Sequence, residues 1–308
     1  MLGIVVVSFG SAPLLRENLA AVDLAALRTP HRVVVVDNLR DARSRAAVRA
    51  CAQEHGWDLV AQDANPGFGA AADAGVRRAA ALGCTAVVLV NPDARVDAPT
   101  LDALAEQVAR TPRALVSPRV DRADGRPWFT GGEIDVAAGR TRNVVTDGTP
   151  QAHGWVSGAC LAASVAWWDA LGGFDDDYFL YWEDVDLSFR CTAAGGTVLV
   201  RQDLVAVHDV GGTQDAAHGG AKSATYYRWN TRNRLVFAAK HLPAADVRRW
   251  LWRTPGYARA VLLRGGRRQL LRPWGPVWAV TRGSAEGAGW AVRALVRRPR
   301  GARTAVTA

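Results

Sequence analysis

The chain has 308 residues, of which 49% are hydrophobic and 22% charged, so it can bury a full core and is neither disordered nor collagen-like. It carries 38 Lys and Arg against 29 Asp and Glu, which gives a formal net charge of +9 at pH 7. The excess lies in residues 241–308, where 14 Arg face only Asp246 and Glu286, and this uneven distribution argues against nucleic-acid binding across the whole molecule.

The amino-terminal third alternates short β-branched runs with helical segments, a pattern typical of a parallel α/β sheet. Four strands are predicted, at residues 2–7, 32–37, 57–61 and 85–90. Helices are predicted at residues 12–27, 41–55, 68–82 and 98–109. Ligands bind such sheets beyond the carboxyl ends of the strands, so we expect the residues found there to line one site. They are Ser8, Phe9, Gly10, Asp37, Asn38, Asn91, Pro92 and Asp93.

The pattern changes after residue 113. Up to residue 149, short apolar pieces alternate with Asp-Gly and Gly-Gly turns, which predicts hairpins or a meandering loop. A strand or short helix is expected at 155–163, followed by a segment at 166–171 to which no structure is assigned, a strand at 197–200 and a helix at 223–240. Prolines then interrupt a sequence rich in Arg and Trp, which predicts broken amphipathic helices. These prolines are Pro243, Pro255, Pro273 and Pro276.

Nothing in the sequence predicts a membrane span or a signal peptide. No stretch of about 18 uncharged apolar residues occurs, and the apolar run at residues 1–7 has no basic segment before it. The cysteines show neither a CxxC pair nor zinc-type spacing with histidine, which predicts buried free thiols in a reducing compartment. They are Cys51, Cys84, Cys160 and Cys191. We therefore expect a cytoplasmic protein.

Two motifs near the strand ends are suited to a nucleotide. Asp37 ends a predicted strand, where its carboxylate can accept hydrogen bonds from a nucleobase or a ribose, although an acid at this position can equally cap the next helix. Asn65 and Gly67 belong to the sequence NPGFG, which enters a helix as a phosphate-binding turn does. A plain tight turn is the alternative for that motif.

Asp93 and His208 are candidate metal ligands. Asp93 follows the fourth predicted strand, where a carboxylate can hold a divalent cation on a diphosphate or cap the helix at 98–109. His208 precedes a Gly-Gly turn and is either a ligand for metal or phosphate or a satisfied or solvated side chain. Arg232, on the helix at 223–240, can bind a diphosphate through paired nitrogens, although a solvated basic face is the default.

The most unusual segment is the acidic, aromatic run at residues 172–190, in which six carboxylates occur within 12 residues. Glu183 and Asp184 fall at the start of a predicted helix, where the positive end of the helix dipole keeps carboxylates ionised. An ionised, positioned carboxylate is what a general base requires. A surface helix with an acidic start is the alternative, and Tyr181 and Trp182 could pack against a sugar ring.

Taken together, these residues resemble the family 2 inverting glycosyltransferases, in particular the rhamnosyltransferase-like group of bacterial cell-envelope synthesis. Any single motif is weak evidence for this family, whereas the ordered set of motifs, which covers about residues 3–240, is strong evidence for it. The motifs are VVVSFG at 5–10, VVDN at 35–38, NPGFGAA at 65–71, VNPDA at 90–94, VSGAC at 156–160, FDDDYFLYWEDVDLSFR at 174–190, HDVGGT at 208–213 and YYRWNTRN at 226–233.

The resemblance implies an α/β fold of the GT-A type, with a mostly parallel central sheet, over residues 1–240. It implies a nucleoside-diphosphate sugar as donor, with dTDP-rhamnose ahead of UDP-galactofuranose. The acceptor would be a hydroxyl group of a glycan or a lipid-linked glycan. Transfer would invert the anomeric centre in a single displacement, with Mg²⁺ or Mn²⁺ on the donor diphosphate.

The resemblance also implies roles for individual residues. Asp184 would be the general base with Glu183 beside it, and Asp93 would hold the metal with His208 as a further ligand for metal or phosphate. The donor is expected to contact residues from several motifs, namely Ser8, Phe9, Asp37, Asn65, Gly67, Asp93 and Arg232. The acceptor is expected to contact Trp155, Gly158, Tyr181 and Trp182.

Two positions depart from the family pattern. Asp73 stands in the helix after the glycine turn, where many relatives have Asn. Ala94 and Arg95 follow Asp93, so the metal motif offers one carboxylate and no Asp-x-Asp pair.

Two other function classes are compatible with parts of the sequence. A sugar-nucleotide pyrophosphorylase also uses an α/β nucleotide domain, but it needs a basic glycine-rich loop after the first strand, and no base occurs there before Arg16. A glycosyltransferase-like protein that binds glycans or scaffolds an assembly without turnover would retain the same acids. An assay of nucleotide-sugar turnover separates these classes.

The basic segment at residues 241–308 lies outside the motif-bearing region. Amphipathic helices rich in Trp and Arg lie in the interface of an anionic bilayer, so we expect peripheral attachment to the inner face of the cell membrane. Helices that pack on the catalytic domain are the alternative, and polynucleotide binding is a weaker one. The residues of interest are Trp250, Trp252, Trp274, Trp278 and Trp290, with apolar stripes at Val247, Trp250 and Leu251 and at Val292, Leu295 and Val296.

Overall fold

The computed structural model describes residues 1–145, 154–208, 222–266 and 274–297. The chain divides into two compact units. Unit 1 comprises Met1–Ile134, Arg142–Phe179 and Glu183–Thr213. Unit 2 comprises Asp135–Thr141, Leu180–Trp182 and Gln214–Ala308. The predicted helix at 223–240 therefore groups with the basic C-terminal segment, while a functional boundary at residue 240 stays a prediction.

Most strands of unit 1 lie close to where the sequence predicts them. The strands are β1 (Leu2–Ser8), β2 (His31–Asp37), β3 (Asp58–Ala61), β4 (Ala86–Val90), β5 (Ala94–Val96), β6 (Ala114–Asp121), β7 (Pro127–Phe129), β8 (Gly132–Asp135), β9 (Arg140–Asn143), β10 (Gly154–Trp155), β11 (Cys160–Ser164) and β12 (Thr197–His208). The helices are α1 (Ala12–Leu14), α2 (Ala42–Glu54), α3 (Phe68–Ala81), α4 (Ala98–Arg110), α5 (Val165–Leu171), α6 (Glu183–Ala193), α7 (Ala224–His241), α8 (Ala244–Trp252), α9 (Thr254–Leu263) and α10 (Trp274–Arg297).

The main sheet has nine strands, in the order β3-β2-β1-β4-β11-β6-β12-β5, with β7 beside β6. The pairings show that β1, β2, β3, β4, β6 and β12 run in one direction, whereas β5, β7 and β11 run in the other. The predicted α/β fold with a mostly parallel central sheet is therefore confirmed. A smaller sheet has the order β10-β8-β9.

The sheet register brings the polar strand ends together. In the parallel pair of β1 and β2, Ser8 lies opposite Asp37. The valines that precede both residues are buried, because strands covered on both faces read as continuous apolar runs. The two strands therefore place the polar side chains at their carboxyl ends, Ser8 and Asp37, at the same edge of the core.

The helix predicted at 12–27 does not form as one element. A short α-turn at Ala12–Leu14 continues into a π-turn at Leu15–Leu19 and, later, a 3₁₀ turn at Leu24–Ala26. The Asn18 side chain donates to the carbonyl oxygens of Leu14 and of Pro92, at 3.2 and 3.0 Å. An amide side chain that bonds to main-chain carbonyls competes with regular helix hydrogen bonds, which explains the irregularity.

The last strand of the sheet is longer than the predicted strand at 197–200. β12 pairs with β6 in parallel and with β5 in antiparallel orientation, and its register shifts between Arg201 and Val205. His208 is the final residue of this strand and lies opposite Ala94 of β5. The predicted end of this strand at residue 200 is therefore eight residues too early, and His208 is a strand-end residue.

The described part of unit 2 contains helices α7 to α10, and α10 crosses α7 at small residues. A Cβ on Gly283 would collide with the carbonyl oxygen of Arg228, and one on Gly287 would lie 2.7 Å from that of Arg232.

Pro243 caps the start of α8 and Pro255 lies in the first turn of α9, so breaks occur at these two prolines as predicted, whereas Pro273 lies outside the described residues. Pro276 lies in the first turn of α10, where its missing N–H costs no helix hydrogen bond.

Within the described ranges, no helix is both long enough and apolar enough to cross a membrane. The four cysteines are buried free thiols, as predicted.

Candidate active site

Asp37 forms the first corner of the site, at the end of β2. Its side chain is 1% exposed, and Nε of Arg45 donates to Oδ2 at 2.7 Å. Helix α2 is capped by Asp41, whose carboxylate accepts from the N–H of Ser44. The alternative that Asp37 caps this helix is therefore excluded.

Three buried acceptor atoms around this corner have no hydrogen-bond partner among the described residues. They are Oδ1 of Asp37, Oδ1 of Asn38 and Oγ of Ser11. Asn38 and Ser11 are both tied to Ser8, since their N–H groups donate to its carbonyl and its hydroxyl oxygen. Buried acceptors without donors are costly unless a ligand supplies the missing N–H or O–H groups, and a nucleobase and ribose carry such groups.

Phe9 follows Ser8 directly and is 46% exposed. An exposed aromatic ring beside unpartnered acceptors is suited to stacking against a planar base. The sequence predicts that Phe9 and Asp37 contact a ligand here, but it predicts no role for Ser11. The signal for Ser11 was its position three residues after Ser8, close enough for its main-chain N–H to reach the Ser8 hydroxyl at 3.2 Å.

The glycine turn before α3 is already hydrogen-bonded. The N–H of Gly67 donates to Oδ1 of Asn65 at 2.9 Å, and the N–H of Phe68 donates to the carbonyl oxygen of Phe179 at 2.9 Å. Gly67 has φ +105°, and a Cβ there would collide with the same Phe179 carbonyl. Both N–H groups thus donate within the protein, and that of Phe68 joins α3 to the segment before α6. Contact of Asn65 and Gly67 with the donor stays a prediction.

Asp93 and His208 form the second corner. The pairing of β5 with β12 places Nε2 of His208 3.0 Å from Oδ1 of Asp93, and both side chains are buried. Helix α4 is capped by Asp97, which accepts from the N–H of Thr100, so the capping alternative for Asp93 is excluded. The two predicted ligands thus lie side by side.

The donor set of this corner fits a cation that also binds a diphosphate. Nδ1 of His208 is buried and has no partner in the described parts of the chain. Those parts contain no cluster of three or more potential ligands, so Asp93 and His208 would leave several coordination positions to other oxygens. Divalent cations in nucleotide enzymes are commonly held by one or two protein ligands together with substrate phosphates.

Asp184 lies in the first turn of α6 and is half-buried. Its Oδ2 accepts from the N–H of Gly158 at 3.0 Å, and its Oδ1 accepts from the N–H of Val185 at 2.8 Å. Burial raises the pKa of Asp184, and these two N–H donors oppose that rise. Gly158 thus positions the carboxylate, while its predicted contact with the acceptor stays a prediction.

Glu183 differs from its neighbour. It is buried, its Oε2 has no partner among the described residues, and its pKa is raised well above the ordinary value by burial and by the charge of Asp184. Desolvation therefore opposes the effect of the helix dipole at Glu183, and the expectation that both carboxylates are ionised stays a prediction.

Trp182 belongs to the core of unit 2. It is 4% exposed, and its ring packs 5.5 Å from the ring of Phe237 and 6.1 Å from that of Trp250. The expectation that Trp182 packs against a sugar ring is wrong, because these contacts enclose the indole. Tyr181 is half-buried and meets Tyr226 edge to face at 5.3 Å.

The backbone at Tyr181 and Trp182 is strained, and Asn233 holds it. The two residues have φ +68° and +76°, in the left-handed region that bulky side chains rarely adopt. The side-chain amide of Asn233 donates to the carbonyl oxygens of Leu180 and Tyr181 at 3.0 and 2.8 Å. The sequence predicts a role for Arg232 on this helix but none for Asn233.

Trp155 and Arg232 have contacts that leave their predicted roles untested. Trp155 packs 4.8 Å from the ring of Phe129 and covers Gly132, where a Cβ would collide with the indole. Arg232 lies in unit 2, and its Nη1 donates to Oδ1 of Asn233 at 2.6 Å. Contact of Trp155 with the acceptor and of Arg232 with the donor stay predictions.

Asp73, the position that departs from the family pattern, anchors a turn. Its Oδ1 accepts from Nε1 of Trp168 at 2.9 Å and from the N–H of Phe174 at 3.1 Å. Burial raises its pKa to about 6. The carboxylate therefore fixes the start of the acidic run, a structural role that the sequence did not reveal.

Comparisons with known proteins identify the family of the chain. The model of the family described as Glycosyl transferase family 2 matches residues 3–186. In Mycobacterium tuberculosis H37Rv, N-acetylglucosaminyl-diphospho-decaprenol L-rhamnosyltransferase is 27% identical over 295 residues, which cover 81% of this chain and 95% of the relative.

Solved glycosyltransferases share the fold at low sequence identity. GalNAc-T7 with UDP, GalNAc and Mn²⁺ has a TM-score of 0.58 at 13% identity, and the match covers 94% of this chain but only 55% of that one. Mannosyltransferase PcManGT from Pyrobaculum calidifontis with GDP-Man and Mn²⁺ has a TM-score of 0.54 at 19% identity, over 97% and 88% of the two chains. S. aureus TarS 1-349 with UDP-GlcNAc has a TM-score of 0.53 at 15% identity, over 96% and 81%. The predicted GT-A fold is confirmed.

Proposed function

The chain belongs to glycosyltransferase family 2, and we propose that it moves a sugar, with inversion, from a nucleoside diphosphate to a hydroxyl group of a glycan or lipid-linked glycan. Rhamnose is the favoured sugar, because the M. tuberculosis relative is named an L-rhamnosyltransferase of N-acetylglucosaminyl-diphospho-decaprenol. dTDP-rhamnose is accordingly the favoured donor, ahead of UDP-galactofuranose.

The nucleoside binds at the ends of β1 and β2. Asp37, Asn38 and Ser11 offer the acceptor atoms that have no donor among the described residues, and the N–H and O–H groups of a base and ribose supply them. Arg45 keeps the Asp37 carboxylate in place, so the side chain needs no rearrangement when the nucleoside arrives.

The donor diphosphate lies at Asp93 and His208, which would hold Mg²⁺ or Mn²⁺ together with phosphate oxygens. A bound cation would offset the negative charge that develops on the leaving nucleoside diphosphate. Asp93 and His208 are oriented by their mutual contact at 3.0 Å. Because the leaving group is already good, no acid is needed to protonate it, unlike in glycosidases.

Asp184 removes the proton from the acceptor hydroxyl as that oxygen attacks the anomeric carbon. The observation that carries this assignment is a half-buried carboxylate held by the N–H groups of Gly158 and Val185, with a pKa raised by burial. A raised pKa makes the ionised form a stronger base, and one base suffices for a single displacement. Attack from the face opposite the diphosphate inverts the anomeric centre.

The test is transfer with a panel of nucleotide sugars to a short-chain prenyl diphospho-N-acetylglucosamine, with and without Mn²⁺. Mass spectrometry identifies the product, and the anomeric coupling in its NMR spectrum reports whether the configuration inverted. We expect rhamnose transfer that chelation reduces. Binding of a donor with no turnover on any pair of substrates would instead favour a catalytically silent scaffold.

The basic C-terminal segment attaches the enzyme to an anionic membrane surface, where a lipid-linked acceptor is presented. Supporting this, Trp252, Trp274 and Trp278 of unit 2 are 87%, 85% and 68% exposed. Exposed tryptophans among arginines are suited to the headgroup region of a bilayer. Trp250 and Val247 of the predicted apolar stripe are fully buried, so that stripe is not part of the membrane surface.

A further inference from the structure

Asn18 lies in the π-turn at Leu15–Leu19, next to the first corner of the site. The N–H of Leu15 donates to the carbonyl oxygen of Ser11 at 3.0 Å, so this turn continues directly from a residue whose hydroxyl oxygen has no partner in the described chain. Leu15 and Leu19 are buried in the core of unit 1. Asn18 therefore projects from an element that the core holds in place.

The side-chain amide of Asn18 extends to the second corner of the site. Its Nδ2 donates to the carbonyl oxygen of Pro92 at 3.0 Å and to that of Leu14 at 3.2 Å. The amide group carries two N–H donors, so it can make both bonds at once. Asn18 thus joins its own turn to the loop that carries Asp93.

The hydrogen bond to Pro92 orients the peptide group that leads into Asp93. The pyrrolidine ring fixes φ of Pro92, and the peptide bond between Pro92 and Asp93 is planar, so ψ is the main-chain torsion of Pro92 that remains free. Rotation about ψ moves the Pro92 carbonyl oxygen, and the Asn18 amide holds that oxygen. The direction in which the chain enters Asp93 therefore depends on Asn18.

The chain is held separately on the far side of Asp93. The N–H of Ala94 donates to the carbonyl oxygen of Asn91 at 2.9 Å, and Ala94 lies opposite His208 in the pairing of β5 with β12. These contacts fix the residue that follows Asp93, whereas the Asn18 amide fixes the residue that precedes it. The carboxylate is thus placed by main-chain restraints on both sides.

The turn that carries Asn18 departs from regular helix geometry. The N–H of Ala20 donates to the carbonyl oxygen of Leu15, five residues before it, where an α-helix would use the fourth. Asparagine is unfavourable inside a helix because its side chain competes for main-chain carbonyls, and local π-turns are frequent at functional sites. The irregularity therefore occurs at the residue that binds the Pro92 carbonyl.

We propose that Asn18 is a positioning residue for Asp93. Through the Pro92 carbonyl, it keeps the Asp93 carboxylate in the orientation that binds a divalent cation together with the donor diphosphate. This role rests on the proposed function, in which Asp93 and His208 hold that cation. Loss of a hydrogen bond behind a metal ligand weakens metal binding, because the ligand must then be reoriented when the ion arrives.

The nucleoside corner does not use this hydrogen bond. Arg45 holds the Asp37 carboxylate, and the N–H groups of Ser11 and Asn38 are bound to Ser8. Removal of the Asn18 amide should therefore weaken the contribution of the metal to nucleotide binding and spare the contribution of the nucleoside. General damage to the fold would reduce both.

The test is Asn18→Leu in the full-length chain, because leucine keeps the branched shape of the side chain but has no N–H donors. Calorimetry measures the affinity for UDP and for dTDP, once in EDTA and once in excess Mn²⁺. We expect the gain in affinity that Mn²⁺ gives the wild type to fall by about tenfold in the variant, with affinity in EDTA unchanged. The thermal midpoint should be unchanged or higher, since leucine favours helices.

Gln53→Leu is the matched control, because it makes the same amide-to-leucine change at an exposed side chain of α2 and should leave all affinities unchanged. An undiminished Mn²⁺ gain in Asn18→Leu would overturn the proposal. Equal losses of affinity in EDTA and in Mn²⁺ would also overturn it, since they would show a structural role alone.

Measurements on the wild type separate the role of Asn18 from the proposed function. A wild type that binds neither nucleotide, or that gains no affinity from Mn²⁺, refutes the donor or metal site of the proposed function and the role of Asn18 with it. A Mn²⁺ gain that is present in the wild type and retained in Asn18→Leu refutes the role of Asn18 alone.

Discussion

Asp184 and Glu183 are adjacent acids whose surroundings differ. The Asp184 carboxylate has two N–H donors, which favour its ionised form, whereas Oε2 of Glu183 has no partner in the described chain. Burial raises the pKa of both, and the charge of Asp184 raises that of Glu183 further. This difference supports the proposal that Asp184, whose carboxylate is held by two N–H donors, is the general base.

Replacement of the base tests this assignment. Asp184→Asn keeps the shape of the side chain and one oxygen, which can accept from the N–H of either Gly158 or Val185, but it cannot take a proton. We expect kcat to fall by about 1000-fold, while donor affinity measured by calorimetry stays near that of the wild type. Asp176→Asn, an equal change at an exposed acid of the same run, is the control and should retain full activity. Comparable turnover in Asp184→Asn would refute the assignment.

Asp73 predicts a pH dependence of stability. Its pKa rises from the ordinary 3.8 to about 6 in the folded protein, so the folded state binds this proton more tightly than the unfolded chain does. The contribution to stability is therefore complete below about pH 4 and is lost as the pH rises to about 6. Two pKa units correspond to at most about 3 kcal/mol.

Asp73→Asn should remove this dependence, because the amide oxygen still accepts from Trp168 and Phe174 but carries no charge. Thermal unfolding is measured at several pH values from 4 to 7.5 for the wild type, for Asp73→Asn and for Asp63→Asn, an exposed control. Between the two ends of that range, the wild type and the control should lose more stability than Asp73→Asn. Parallel curves for all three proteins would contradict the prediction.

At the scale of elements, the contact of α7 with α10 depends on two glycines. Gly283 and Gly287 are one helical turn apart on α10, and each lies against main-chain carbonyls of α7. Glycine lowers helix propensity, so its presence here indicates that close approach of the two helices outweighs that cost.

Gly283→Ala should push α10 away from α7 and destabilise unit 2 by about 2 kcal/mol, because the added methyl meets rigid backbone. Gly275→Ala is the control on the same helix, since a Cβ there meets nothing within 4 Å and alanine improves helix propensity. Urea unfolding should therefore show a lower midpoint for the first variant and an unchanged or higher one for the second. A midpoint for Gly283→Ala equal to that of wild type would mean that the helices separate at little cost.

At the scale of the whole molecule, the uneven charge and the exposed tryptophans of unit 2 support the proposed attachment to a membrane surface. Trp274→Gln with Trp278→Gln should reduce sedimentation with phosphatidylglycerol vesicles by about tenfold, because two large apolar groups no longer enter the interface. Val145→Gln, at an apolar side chain of unit 1 that is 86% exposed, is the control. Residual binding should fall with added salt, since arginine attraction is screened. Unchanged sedimentation of the double variant would locate any membrane contact elsewhere.

Sequence patterns alone predict the α/β fold, the order of the motifs and the positions of Asp37 and Asp93 at strand ends. Parallel strands bring their carboxyl ends to one edge, so Asp37 and Asp93 could be placed at strand ends from periodicity alone. Neighbouring residues in the sequence also predict that a helix starts at Glu183 and Asp184, and in the structure α6 begins at Glu183. Periodicity and capping are properties of neighbours in the chain, which a sequence displays directly.

The tertiary structure is needed to show which of these side chains and N–H groups are covered or hydrogen-bonded by distant segments of the chain. The carbonyl oxygen of Phe179, 111 residues after Phe68 in the chain, accepts the N–H of Phe68. The sequence of the glycine turn alone predicts that this N–H is available to a phosphate. Phe237 and Trp250 enclose Trp182, and β12 carries His208 to Asp93 across 115 residues of chain. Burial and hydrogen-bond partners depend on distant segments, so sequence patterns identify the residue types of a site while packing decides which of them meet a ligand.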